Sequence, residues 1–210
     1  MDLLSGIITI AILVFSAIFH EVAHGYVAER FGDPTARLAG RLTLNPKKHI
    51  DPLMSILLPL MLILSGSPVI FGAAKPVPID PFNLKEGRKD IALVALSGPL
   101  TNVIIAVLGA VIIHATSAFL SPLSPIQNIL FTIVNLNLLL AIFNLLPIPP
   151  LDGSKVFALL LPQDMANAYL SLSSIGFFII FFLLLFPVGG FSLGSIIFNL
   201  LTFSLNLLGI

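Results

Sequence analysis

The sequence predicts an all-α polytopic membrane protein with about five transmembrane helices, a re-entrant segment and short β-strands on the cytoplasmic side. Three observations carry that prediction. Of 210 residues, 57% are hydrophobic and only 10% are charged, against roughly a quarter charged in soluble domains. The apolar residues gather into long runs bounded by proline and glycine, as membrane helices require. Nine of the ten Lys and Arg residues lie between Arg30 and Lys89, and the tenth is Lys155. By the positive-inside rule, both regions belong on the cytoplasmic face. Net charge is zero, which argues against nucleic acid as a partner. The chain has no cysteine, so disulfides and thiolate metal ligands are excluded.

The first span runs from about Leu3 to about Ala28, ending at Glu29-Arg30 and the breaker Gly32-Asp33-Pro34. Its start has Asp2 and no Lys or Arg, and no small-residue cleavage site follows. It therefore reads as a retained span with the N-terminus outside, not as a signal peptide. From Thr35 to Ile50 the chain is polar, and the alternation across residues 36–44 predicts a short strand or hairpin at the cytoplasmic surface. Asp51-Pro52 reads as a helix start. Residues 53–64 form an apolar run containing Pro59, too short for a full crossing and so predicted to be re-entrant. Four prolines and a glycine keep residues 67–81 extended. Within it Val69, Ile70, Phe71, Gly72, Lys75, Pro76, Val77 and Pro78 form a candidate edge strand for pairing with an unwound substrate; the alternative is an ordinary proline-rich loop. The remaining spans are expected at about 90–119, 126–146, 166–186 and 191–208. No internal repeat appears, so residues 1–210 read as one domain: a core of 3–153 followed by further C-terminal spans over 154–210.

Chemistry concentrates in His20-Glu21-Val22-Ala23-His24. On a helix, H-E-x-x-H sets two imidazoles only ~40° apart around the axis, so both can ligate one metal, and the glutamate between them can take a proton from water. Inside an apolar span these groups carry a desolvation cost that asks for a function. Counting back from Arg30 places His24 ~9 Å and His20 ~15 Å along the axis, between the cytoplasmic edge and the midplane of a hydrocarbon core ~30 Å thick. Two histidines make half of a tetrahedral zinc site, and a third protein ligand is needed. Asp152 is the strongest candidate, since it follows a proline-broken span on the face that Lys155 assigns to the cytoplasm. His49 and Asp51 are rivals at the polar surface. His114 reads as interfacial, and the Phe-rich run 177–186 as lipid-facing or packing surface.

His20-Glu21-Val22-Ala23-His24, followed by Asn144-Leu145-Leu146-Pro147-Ile148-Pro149-Pro150-Leu151-Asp152-Gly153, resembles the paired signatures of the site-2 proteases, H-E-x-x-H and N-x-x-P-x-P-x-x-D-G. Ser97-Gly98-Pro99-Leu100-Thr101-Asn102 is similar to that family's G-P-x-x-N helix. Residues 72–78 and 45–52 look like its compact prokaryotic branch, which lacks a PDZ domain. The resemblance implies an intramembrane zinc metalloprotease of the cell membrane, with one Zn2+ per chain, open toward the cytoplasm. It would hydrolyse peptide bonds in or near transmembrane segments of other membrane proteins. His20, His24 and Asp152 would then ligate the zinc, and Glu21 would act as general base. Asn144 would contact the substrate backbone or the developing oxyanion; Asn102 would do the same or serve as a helix-packing amide of the bundle. The competing functions are a divalent-metal transporter, which should spread its ligands along a pathway, and an inert substrate-binding relative, which would not need Glu21.

Overall fold

The computed structural model of the chain describes residues 3–52, 57, 60, 61, 64, 75–122, 124–187 and 192–210. Among them every regular element is helical. Helix α1 spans Leu3–Arg30, and a single turn, α2, spans Thr35–Leu38. Short 3-10 turns cover Pro46–Lys48 and Pro81–Asn83. Then follow α3 (Arg88–Thr116), α4 (Pro125–Asn144), α5 (Asp152–Ala158), α6 (Gln163–Ser171), α7 (Ser173–Leu185) and α8 (Leu193–Leu207).

Helices α1, α3 and α4 are each long and apolar enough to cross a membrane. The pair α6 and α7 adds a fourth candidate if the two are taken as one span bent by 66°. Five full spans are thus not found among the described residues. Helix α8 has 15 residues, a length of ~22 Å, which falls short of a ~30 Å hydrocarbon core. The re-entrant run 53–64 lies largely outside the described residues.

The strand expected over 36–44 is replaced by α2 and turns, for a local reason. The Asp33 carboxylate accepts the N–H of Thr35 at 3.0 Å and the Thr35 hydroxyl, starting a helical turn directly after Pro34. Gly40, at φ +64°, then stops it: Gly40 N–H donates to Arg37 O and Arg41 N–H to Ala36 O, both at 2.9 Å. That is a Schellman closure. Alternation of side chains loses to a strong start and a strong stop five residues apart. Gly32, at φ +112°, ends α1 by the same pair of bonds.

The core is a bundle of α1, α3 and α4, with α5 against α3 and α8 against α4. Small residues let the backbones approach. Ala106, Gly109 and Ala110 are buried on α3, and a Cβ added at Gly109 would stand 2.8 Å from the Val134 side chain on α4. In lipid, where burial of apolar surface drives little, close packing of this kind holds helices together. Outward faces are apolar as well: Ile7, Phe15, Ile104, Leu108, Phe131 and Phe178 are all exposed, as lipid contact demands.

Candidate metal centre

One helix and one helix start aim three side chains at a common point. His20 and His24, one turn apart on α1, stand edge to face with ring centroids 4.6 Å apart and planes at 89°. Their Nε2 atoms are 3.0 Å apart. Oδ2 of Asp152 lies 3.0 Å from Nε2 of His20 and 3.1 Å from Nε2 of His24. All three residues are buried. Asp152 arrives there because α4 breaks after Asn144 and the turns of residues 145–151 lead straight into α5. A Cβ at Gly153 would lie 2.1 Å from Leu145 O, so only glycine lets α5 fold back against the end of α4. Lys155, one turn along α5, donates from Nζ to the other carboxylate oxygen, Oδ1, at 3.1 Å.

The far side of each ring decides what the near side can do. His24 Nδ1 lies 2.7 Å from Val94 O, a main-chain carbonyl that can only accept, so Nδ1 carries the proton. His20 Nδ1 lies 2.6 Å from Oδ1 of Asn102 and likewise donates. In the neutral rings both Nε2 atoms therefore present lone pairs, to each other and to a carboxylate oxygen. Three electron-rich atoms packed together out of water repel unless a cation sits among them.

These residues fit a metal ion. A tetrahedral zinc with bonds of about 2.0–2.2 Å sets its donors about 3.3–3.6 Å apart, close to the 3.0, 3.0 and 3.1 Å found here. Gly98 on α3 keeps the point clear. A Cβ there would stand 2.5 Å from His24 Nε2 and 2.6 Å from His20 Nε2.

Glu21, half-buried beside the pair, accepts the backbone N–H of Val77 through Oε2 at 2.8 Å. Val77 belongs to a strap without regular secondary structure, residues 75–80, tied to α1 by that bond. Gly25 makes room for it, since a Cβ there would meet Leu42, Ala36 and Val77 at 2.6, 3.0 and 3.0 Å. Arg41 Nη2 donates to Lys75 O at 2.7 Å and Pro76 O at 3.2 Å, and Lys75 N–H donates to His49 O at 2.7 Å. Farther on, Asp80 N–H donates to Asp33 Oδ2 at 2.7 Å.

The other expected site residues are placed as follows. His49 is fully buried, with Nε2 donating to Thr43 O at 2.8 Å, and Asp51 also stands outside the three-ligand group. Asn144 donates within its own helix, to Leu140 O at 2.9 Å. Asn102 stands behind His20, away from the convergence point, and its Nδ2 donates to Asn137 Oδ1 at 2.9 Å. Lys75, Pro76, Val77 and Pro78 belong to no strand and no helix; Val69, Ile70, Phe71 and Gly72 lie outside the described residues. Sequence reasoning missed Gly98, Lys155, Arg41 and Asn137. Signals were visible for Gly98, which stands in the G-P-x-x-N-like segment, and for Asn137, an amide within an apolar span.

A model described as Peptidase family M50 matches residues 112–187, a stretch that includes Asp152. YwhC of Bacillus subtilis (strain 168), provisionally named a zinc metalloprotease, is 39% identical over 186 residues, covering 86% of this chain and 81% of that protein. Rip2 of Mycolicibacterium smegmatis, under the same provisional name, is 34% identical over 183 residues, covering 86% and 68%. No solved structure matches the chain.

Proposed function

The chain belongs to peptidase family M50, the site-2 proteases, and from that premise we propose that it hydrolyses peptide bonds in or near transmembrane segments of other membrane proteins, with zinc held by His20, His24 and Asp152. The observation that carries the reading is the convergence of two imidazole lone pairs and one carboxylate oxygen in a buried pocket. When bound, zinc supplies Lewis-acid polarisation of a carbonyl and acidifies water near neutral pH.

The chain's own groups supply the rest. Glu21 takes a proton from the attacking water as oxygen adds to the scissile carbonyl carbon. It returns that proton to the leaving nitrogen as the C–N bond breaks, which gives one carboxylic acid and one amine. The Val77 N–H holds Oε2 of Glu21, which fixes the carboxylate rotamer and leaves Oε1 for the proton. A transmembrane helix hides its own amides, so the substrate must unwind before it reacts. Within 75–78 the two N–H groups are already committed to His49 O and Glu21. The charge map supports a chain with its N-terminus outside and this site open toward the cytoplasm, since Arg30, Arg37, Arg41, Lys75 and Lys155 gather near that end of the bundle.

The test uses the purified full chain in lipid vesicles with a reporter bearing a membrane segment. Wild type cleaves the reporter, and Glu21→Gln keeps its zinc but does not cleave. Zinc passage across the vesicle membrane that survives Glu21→Gln, with no cleavage by wild type, would mark a transporter instead.

A further inference from the structure

Behind His20 lies a closed polar relay within an apolar bundle. Asn102 and Asn137 are fully buried and Ser16 nearly so. Asn137 Nδ2 donates to Ile133 O at 2.8 Å and to Ser16 Oγ at 2.9 Å. A main-chain carbonyl can only accept, so Ile133 O fixes which way the Asn137 amide faces. Its Oδ1 must then point to Asn102, where it accepts from Nδ2 at 2.9 Å. The second Nδ2 hydrogen of Asn102 points to Ser16 O at 3.4 Å. Both amides have thus used both donors, and only Oδ1 of Asn102 is left to face His20 Nδ1, at 2.6 Å.

We propose that Asn137 is a positioning residue for the metal site: acting through Asn102, it fixes the tautomer of His20 so that Nε2 faces the metal without a proton. Resting on the reading of His20 as a zinc ligand, the proposal gives a function to an amide that helix packing alone would not need. Without an acceptor at 137, Asn102 loses the partner that fixes its orientation. Turned over, it donates Nδ2–H to His20 Nδ1, and the ring proton moves to Nε2, where the metal must bind.

Two measurements on the purified full chain test this. One is zinc affinity by chelator competition. The other is 15N NMR of ring-labelled histidine in metal-free protein, with the His20 signals assigned by their loss in His20→Gln. Wild type should show His20 protonated at Nδ1. Asn137→Leu should shift protonation toward Nε2 and weaken zinc binding about tenfold or more, the scale of outer-shell effects on metal ligands. Asn137→Asp, buried as the neutral acid with its O–H donating to Ile133 O in place of the amide, keeps an acceptor opposite Asn102 and should stay close to wild type in both readouts. Equal losses in the two variants, an unchanged affinity in Asn137→Leu, or a wild-type His20 protonated at Nε2 each overturn the relay. If Asn137→Leu does not fold, the wild-type spectrum and Asn137→Asp decide. A wild type that takes up no zinc sinks the metal-site reading, while the spectrum still judges the relay.

Discussion

Val77 donates its backbone N–H to Oε2 of Glu21 at 2.8 Å, joining the H-E-x-x-H helix to a strap 56 residues downstream. Arg41 holds the two carbonyls just before it, Lys75 O and Pro76 O. Removing Arg41 should therefore reach Glu21 without touching the metal ligands. Hydrogen bonds to charged groups contribute about 1.5–3 kcal/mol, and about 1.4 kcal/mol is tenfold in rate. Arg41→Gln should lower reporter cleavage about tenfold or more and leave zinc content unchanged. Zinc lost in parallel with cleavage would show that the strap supports the metal site itself.

Gly98 faces both Nε2 atoms with no side chain between. Gly98→Ala places a methyl where the ion belongs. Helix propensity favours alanine by about 1 kcal/mol, while crowding of both rings at 2.5 and 2.6 Å costs about 1–3 kcal/mol, so the metal-free variant should lose at most about 2 kcal/mol of stability. Zinc affinity should fall by roughly a hundredfold, the upper end of single-site effects around a metal. Chelator competition and thermal unfolding of the apo protein separate the two effects, and wild-type affinity in this variant would contradict the placement of the ion.

Lys155 reaches Oδ1 of Asp152 at 3.1 Å while Oδ2 faces the histidines. Lys155 is partly exposed, so the pair adds little to stability, on the order of 1 kcal/mol or less. Its effect belongs to carboxylate orientation. Lys155→Met should weaken zinc by up to about tenfold with thermal stability nearly unchanged; a large stability loss with unaltered affinity would reverse that assignment.

Asp33 gathers Thr35, Asp80 and Asn83 below the end of α1. Burial pushes its carboxyl upward, but the hydrogen bonds from Thr35, Asn83 and Asp80 outweigh it and hold the group below the usual carboxylate range. A depressed folded value means the stabilisation is present above the unfolded value of about 3.9 and is lost as pH falls through the folded one. Thermal unfolding of wild type should thus become easier below about pH 4. Asp33→Asn should cost about 1–3 kcal/mol at neutral pH and show less of that acid dependence. An identical acid profile in both proteins would assign the effect elsewhere.

The grouping of His20, His24 and Asp152 was legible because a membrane makes polar side chains scarce: two histidines in an apolar run and one aspartate after a proline break leave few other candidates. That the strap would not be helical was legible from its prolines, but its bond to Glu21 was not, since backbone N–H groups leave no trace in composition. The strand expected at 36–44 failed because alternation says nothing about an Asx turn and a glycine stop that close around it. Asn102 was visible as an amide in a membrane helix. Its contact with Nδ1 of His20, on the side of the ring away from Asp152, depends on the rotation of α3 against α1, which no local pattern records.

The convergence of His20, His24 and Asp152 on one ion is tested most directly by elemental analysis joined to X-ray absorption of the purified full chain. The expected result is one zinc per chain with two imidazole nitrogens and a carboxylate oxygen in its shell, and a sharp fall in occupancy in His20→Ala, His24→Ala and Asp152→Ala alike. Zinc absent from wild type, or retained at full occupancy in Asp152→Ala, would contradict it.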